Sequence, residues 1–331
     1  MKVLIYGGGA IGCHLAYCLY STKNQISIIA RGDHLSKIKE NGINLSIFDN
    51  NILINEMNLK ENSNIKFYPN VDNLEDKNFD YIFITVKLKD YTYNEINKIN
   101  SLINPDTAII PPCTGLPDWW FNNFFFKNKK KKFNEIKNNF FVIKNIENVI
   151  GMSMWLSSVI IEPGTVHVKH IQRGYPLKEI NDKMKLKADT LRDFIKQKCI
   201  SPNVDNIYSE IYGKVINSFA FNLIALDTEF NNYQLKNDSN SINSIKRVMS
   251  EFDKIILSLK IPIFQTIEER IMQTLKSTKH TLSMLTDYKL NKPVEINYSW
   301  KNLALLLSLT NKKANYTQEI YNRVCKKLGK Y

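Results

Sequence analysis

Lys2-Val3-Leu4-Ile5-Tyr6-Gly7-Gly8-Gly9-Ala10-Ile11-Gly12 decides the fold of the N-terminal half. The apolar run Val3 to Tyr6 ends in three glycines. Ala10 to Tyr20 then places Ile11, Leu15, Cys18 and Leu19 at helical spacing, which predicts a strand, a tight turn and a helix. Gly7, Gly9 and Gly12 make a GxGxxG pattern across that turn. In this setting the first glycine permits the turn, the second lets backbone approach a pyrophosphate, and the third lets the helix lie close on the strand. The free N–H groups of the helix start then face phosphate charge. Gly7, Gly8, Gly9, Ala10, Ile11 and Gly12 are therefore the expected dinucleotide contacts.

The neighbouring segments repeat the alternation. Ile26 to Ala30 reads as a second strand, and Asp33 as the N-cap of a helix ending near Asn41-Gly42. Asp80 to Val86 has the unbroken apolar run of a strand buried on both faces. Tyr91 to Ile103 reads as helix and Thr107 to Ile110 as strand. Strand-helix alternation implies a parallel sheet covered by helices. The second strand runs into Arg31, with no acid at its tip in the sequence. An arginine there suits a 2′-phosphate, so NADP(H) is the expected cofactor.

From about Asp189 the pattern turns helical: Leu191 to Lys198, Ile207 to Leu226, Ile242 to Leu259, Ile267 to Leu275 and Trp300 to Leu309. The expected fold class is α/β, a Rossmann-type parallel-sheet domain over residues 1–205 followed by an all-helical domain over 206–331. A Lys/Asn/Phe-rich stretch at about 124–148 reads as a surface insertion.

The 331 residues are 44% hydrophobic and 11% aromatic, which excludes a disordered chain. No run of roughly 18 apolar residues predicts a membrane span, and no signal-peptide pattern opens the sequence. The net charge of +13 raises nucleic-acid binding, with Lys127 and Lys129 to Lys132 as the one dense cluster. The other basic residues are spread out rather than gathered in a stripe, so no nucleic-acid partner is expected. The five cysteines are odd in number and form no CxxC pair, and the histidines make no local constellation. Neither disulfide framework nor metal site is expected, and a reducing cytoplasm fits.

Further segments extend these readings. Arg31-Gly32-Asp33-His34-Leu35 with Asn41-Gly42-Ile43-Asn44-Leu45 resembles the RGxHL…NGL pattern of ketopantoate reductases (2-dehydropantoate 2-reductases). Thr85-Val86-Lys87 with Asp90, Pro111 to Pro117 with Trp119-Trp120-Phe121, and Ile150-Gly151 are similar to later segments of that family. So are Glu162 to His167, Lys214 with Phe221-Asn222, and Ser283-Met284 with Asp287 and Glu295, in order.

The resemblance implies an NADPH-dependent reduction of 2-dehydropantoate to pantoate, in the biosynthesis of pantothenate and coenzyme A, with the site in a cleft between two domains. Alone, Lys214 reads as a solvated position on an apolar helix. The resemblance makes it the general acid that protonates the ketone oxygen. It implies that Ser218, Asn222, Asn232 and Ser283 bind substrate, with Ser218 standing where the family has asparagine. Thr114, which also replaces an asparagine, is implied at the meeting point of cofactor and substrate. Lys87, Ser157 and Glu295 are implied beside the cofactor. Partners reduce to a small 2-oxo acid and, at most, a second copy of the chain. Competing readings are a same-fold reductase of another 2-oxo acid and a non-catalytic NADP-binding sensor.

Overall fold

The computed structural model describes residues 1–49, 52–86, 93–111, 115–121, 145–276 and 281–329. The chain divides into two compact units, Met1–Cys113 with Asn139–Ile207, and Thr114–Asn138 with Tyr208–Tyr331.

In the first unit, β1 (Lys2–Tyr6) leads through the glycines into α1 (Ala10–Leu19), then β2 (Gln25–Ile29) and α2 (Gly32–Asn41). An antiparallel pair follows, β3 (Ile43–Asp49) and β4 (Ile52–Leu59), and then β5 (Ile65–Tyr68), β6 (Tyr81–Ile84), α3 (Tyr93–Asn100) and β7 (Ala108–Ile110). Strands β5-β2-β1-β6-β7 form one sheet in that order, all parallel. Taken without the inserted pair, this is the 3-2-1-4-5 order of a Rossmann sheet. The order reverses between β1 and β6, and open α/β sheets bind ligands beyond strand ends at such a point. Val3, Leu4 and Ile5 of β1 and Ile82, Phe83 and Ile84 of β6 are all 0% exposed, as unbroken apolar runs in a sheet covered on both faces require.

Later strands complete this unit: β8 (Ile150–Met152), β9 (Trp155–Glu162), β10 (Thr165–Gly174) and β11 (Leu177–Glu179), followed by α5 (Lys185–Lys196). A second sheet has the order β4-β3-β10-β9, with β3 and β10 parallel although about 120 residues apart. The sequence reading leaves β3, β4 and β5 unassigned. It also reads Asp33 as an N-cap. Arg31 holds that position instead, with extended backbone, and Asp33 sits in the first turn of α2. There its carboxylate still meets the positive end of the helix.

The second unit is helical. It comprises α6 (Ile207–Thr228), α7 (Asn232–Asn237), α8 (Ser239–Ser258), α9 (Ile267–Thr274), α10 (Ser283–Lys289), α11 (Ile296–Thr310) and α12 (Asn315–Lys327). It also takes in α4 (Asp118–Phe121), which the sequence reading leaves within 1–205. The reason is local anchoring. Trp120 Nε1 donates to the Tyr208 carbonyl at 2.9 Å, and Asn302 Nδ2 donates to the Leu116 carbonyl at 3.0 Å. Trp119, Trp120 and Phe121 are all fully buried. Beneath α6, Tyr212 donates to Asp253 at 2.6 Å, and Arg270 pairs with the same carboxylate.

Most of the 124–148 stretch lies outside the described residues, but its end is not surface. Asn148 is 0% exposed, and its Nδ2 donates to the carbonyls of Asn104 and Thr107 at 2.9 and 2.8 Å. No helix among the described residues is long and apolar enough to cross a membrane.

Candidate active site

The glycine turn has the geometry its sequence implies. Gly7 has φ +121°, a value that side chains rarely adopt, and a Cβ there would stand 2.8 Å from the Val86 amide nitrogen. A Cβ on Gly12 would overlap the Gly7 carbonyl oxygen and come within 3.0 Å of Ile5, so α1 lies directly on β1. Gly9 is the N-cap of α1, and a Cβ there would meet nothing within 4 Å. The turn is therefore tight behind and open in front. Gly8 N donates to the Ile29 carbonyl at 2.6 Å, and Thr85 Oγ1 donates to the Gly7 carbonyl at 2.6 Å. The first turn of α1 carries no acidic residue, so its unpaired N–H groups meet no built-in anion. Ala10 and Ile11 open that turn.

At the tip of β2, Arg31 is more than half exposed. The structure brings an acid to it that the local sequence lacks. Arg31 Nη2 donates to Tyr6 Oη at 3.3 Å and stands 3.7 Å from Glu95 Oε2, while the Tyr6 hydroxyl donates to the same carboxylate. Glu95 comes from α3, 64 positions downstream, and only the parallel order of β2, β1 and β6 makes them neighbours. His34 explains the RGDHL segment differently from a cofactor contact. Its Nδ1 accepts from the Gly164 amide at 3.1 Å, which ties α2 to the β9–β10 turn. Burial pushes its pKa below the usual histidine range, against a hydrogen bond to the Gly8 backbone that raises it.

Ser157 lies in β9 opposite His170, in a different sheet from the glycine turn. Lys87 and Thr114 lie outside the described residues.

In the second unit, α6 is buried nearly all round. Ile211, Tyr212, Ile216, Phe219, Ala220, Phe221 and Leu223 are at most 1% exposed. Lys214 and Ser218 are half-buried, and with Asn222 they follow one another at intervals of four on one helix face. Each interval is about 6 Å along the axis. Asn222 is 3% exposed; its Nδ2 donates to the Ser218 carbonyl at 2.8 Å, and its Oδ1 accepts from the Met284 amide at 3.1 Å. That bond satisfies an N–H in the first turn of α10 and brings exposed Ser283, which opens the helix, beside the same face.

Asn232 opens α7 rather than sitting in a loop, and is 1% exposed. Its Nδ2 donates to the Thr274 carbonyl at 3.4 Å, while Asn217 Nδ2 donates to Thr274 Oγ1 at 2.9 Å. The end of α9 thus joins Asn232 to the turn of α6 that follows Lys214. Asn217 was not expected in a site, and its position one residue from Ser218 was the only sequence signal. Glu295 is half-buried at the N-cap position of α11.

Two family models match the chain. Residues 3–116 match "Ketopantoate reductase PanE/ApbA", and residues 206–327 match "Ketopantoate reductase PanE/ApbA C terminal". A 2-dehydropantoate 2-reductase of Mesorhizobium japonicum is 26% identical over 303 residues, covering 90% of this chain and 88% of the relative. Among solved structures, 2-dehydropantoate 2-reductase from Geobacter metallireducens superposes with a TM-score of 0.78 at 17% identity, covering 99% of this chain and all of the other. A D-mandelate dehydrogenase in complex with NADH and anilino(oxo)acetate has a TM-score of 0.75 at 21% identity, covering 99% and 98%. With a Rossmann sheet, an open glycine turn and matched models over both parts, the chain belongs to the ketopantoate reductase family and is an oxidoreductase.

Proposed function

We propose that the protein reduces the ketone of 2-dehydropantoate to the hydroxyl of pantoate with NADPH. The observation that supports this most is the Lys214, Ser218 and Asn222 face of α6, set beside the start of α10 with Ser283. When bound, the dinucleotide supplies hydride to the ketone carbon. The open front of the glycine turn, at Gly7 to Gly12, fits the pyrophosphate, and Arg31 would pair with a 2′-phosphate once drawn from Glu95.

The residues of α6 would act on the other side of the reaction. Lys214 gives a proton to the ketone oxygen as negative charge develops there, and its own charge steadies that oxygen beforehand. Ser218 and Ser283 donate hydroxyl hydrogen bonds to the hydroxy acid. Asn222 holds α10 in place through its Oδ1, and its amide, which also reaches Ser218 Oγ at 3.4 Å, orients that hydroxyl toward substrate. Asn232 stays assigned to substrate and Glu295 to the cofactor on their sequence positions. Thr114 stays assigned to both cofactor and substrate on its sequence position, with Lys87 and Ser157 as lesser cofactor contacts. A second reading, a different 2-oxo acid, draws on Ser218 in the place of asparagine and on the mandelate dehydrogenase likeness.

NADPH oxidation with a panel of 2-oxo acids tests the reading. 2-Dehydropantoate should be the best substrate by kcat/KM, and a panel led by an aryl 2-oxo acid would overturn the substrate assignment. Lys214→Ala should lose about 10²–10⁴-fold in rate and keep NADPH affinity. Lys214→Arg should not recover the rate, because guanidinium does not release its proton near neutral pH. A wild-type rate in Lys214→Ala would remove Lys214 as the general acid.

A further inference from the structure

Helix α1 places His14 and Cys18 one turn apart on the same buried face. Cys199, three residues past the end of α5, closes on them from 181 positions away. A ring nitrogen of His14 and the two Sγ atoms all lie within 4.8 Å of one another, and no other such group exists among the described residues. We propose that His14, Cys18 and Cys199 form a zinc(II) site inside the first unit, separate from the glycine turn.

The donor set and the spacing both point to that ion. Two thiolates and an imidazole are borderline-soft donors, and a tetrahedral arrangement of them selects zinc(II). Zn–S of about 2.3 Å and Zn–N of about 2.0–2.1 Å put tetrahedral ligand atoms about 3.6–3.8 Å apart. Cys18 Sγ stands 3.9 Å from His14 Nε2, a few tenths of an ångström beyond the tetrahedral S–N separation, and all three ligand atoms lie within 4.8 Å of one another.

The outer partners are also present. His14 Nδ1 is 2.7 Å from Tyr175 Oη, and the two rings stack at 5.7 Å. A metal-bound imidazole is usually oriented in this way by a hydrogen bond at its other nitrogen, which leaves Nε2 for the ion. Tyr175 is itself tied to the Cys199 segment, through its amide to the Ile200 carbonyl at 2.9 Å and its carbonyl to Ser201 Oγ at 2.6 Å.

Binding releases two thiol protons to solvent and forms two Zn–S bonds and one Zn–N bond. The ion and two thiolates sum to zero charge. Lys198, whose ammonium donates to the Tyr17 and Tyr20 carbonyls at 3.0 and 2.6 Å, therefore faces no buried excess of positive charge. Cys199 also lines an open pocket of about 430 Å³ with Lys196, Lys198, Ile200, Ser201 and Pro202, so solvent approaches the site from the Cys199 side. Its three protein ligands would cross-link α1, whose first turn is the dinucleotide turn, to the chain beyond α5.

The experiment uses the full untagged chain, purified with reductant and titrated with zinc(II) alone, then with cobalt(II) as a spectroscopic substitute. About one equivalent of zinc should be retained after gel filtration. Cobalt(II) should give thiolate charge-transfer bands with the intense d–d absorption of a tetrahedral complex. Cys199→Ser and Cys18→Ser should each abolish both signals, and Cys325→Ser, in the other unit, should keep them. Should either serine variant fold poorly, the wild-type cobalt spectrum decides alone. No tetrahedral cobalt spectrum, or the same spectrum in folded Cys199→Ser, overturns the site. A Cys18–Cys199 disulfide in protein purified without reductant, together with no zinc uptake after reduction, does so as well.

Discussion

Replacing Asn222 by alanine separates two jobs that one side chain performs. The carboxamide oxygen accepts the Met284 amide at 3.1 Å, and both groups are buried. Alanine leaves that N–H without its acceptor where water enters poorly, at a cost of about 1–3 kcal/mol. The Nδ2 bond adds less. Its acceptor, the Ser218 carbonyl, sits in mid-helix and keeps the backbone partner four residues on. Loss of the bond network and of three heavy atoms thus comes to about 2 kcal/mol, with truncation of a buried side chain included. For a unit of about 150 residues that lowers Tm by roughly 4–8 °C. Differential scanning calorimetry reads the shift, and steady-state kinetics well below the transition read KM for the 2-oxo acid. Ser283→Ala, at an exposed position, should leave Tm unchanged and raise KM alone. A wild-type Tm in Asn222→Ala with a raised KM would refute the reasoning, because the side chain would then serve substrate and not α10.

Three further outcomes follow from the first unit. Gly12→Ala places a methyl on the Gly7 carbonyl oxygen, so α1 must part from β1; stability should fall by about 1–3 kcal/mol in urea unfolding, and dinucleotide affinity should fall with it. An unchanged urea midpoint would show that the turn yields freely. Arg31→Ala should weaken NADPH about ten- to a hundredfold and NADH little, whereas Glu95→Gln, which removes a charge 3.7 Å from the guanidinium, should strengthen NADPH several-fold in fluorescence titrations. Equal effects on both cofactors would detach this cluster from the 2′-phosphate. His34 is held below its ordinary pKa, so the unfolded chain takes up its proton first and stability falls as pH drops below about 6.5. The stability advantage of wild type over His34→Gln should be constant above pH 7 and shrink towards pH 5, and a pH-independent difference would exclude the titration.

Sequence and structure divide this protein along the range of the interactions involved. The glycine turn was legible because Gly7, Gly9 and Gly12 act within six residues, where sterics alone dictate what the backbone can do. The shared face of Lys214, Ser218 and Asn222 was legible for the same reason, since helical period converts spacing into direction. Strands β1 and β6 showed themselves by unbroken apolar runs, while β3 to β5 mix apolar with polar residues, and their pairing is settled across the sheet. The parallel pairing of β3 with β10 joins segments with no local signal in common. So do Glu95 beside Arg31, Leu116 held by Asn302, and Met284 held by Asn222. The cysteines read as unrelated along the chain, yet His14, Cys18 and Cys199 meet once α1 and the end of α5 close over one core. Such meetings follow from where the whole chain buries its apolar surface, a property that no short window of residues contains.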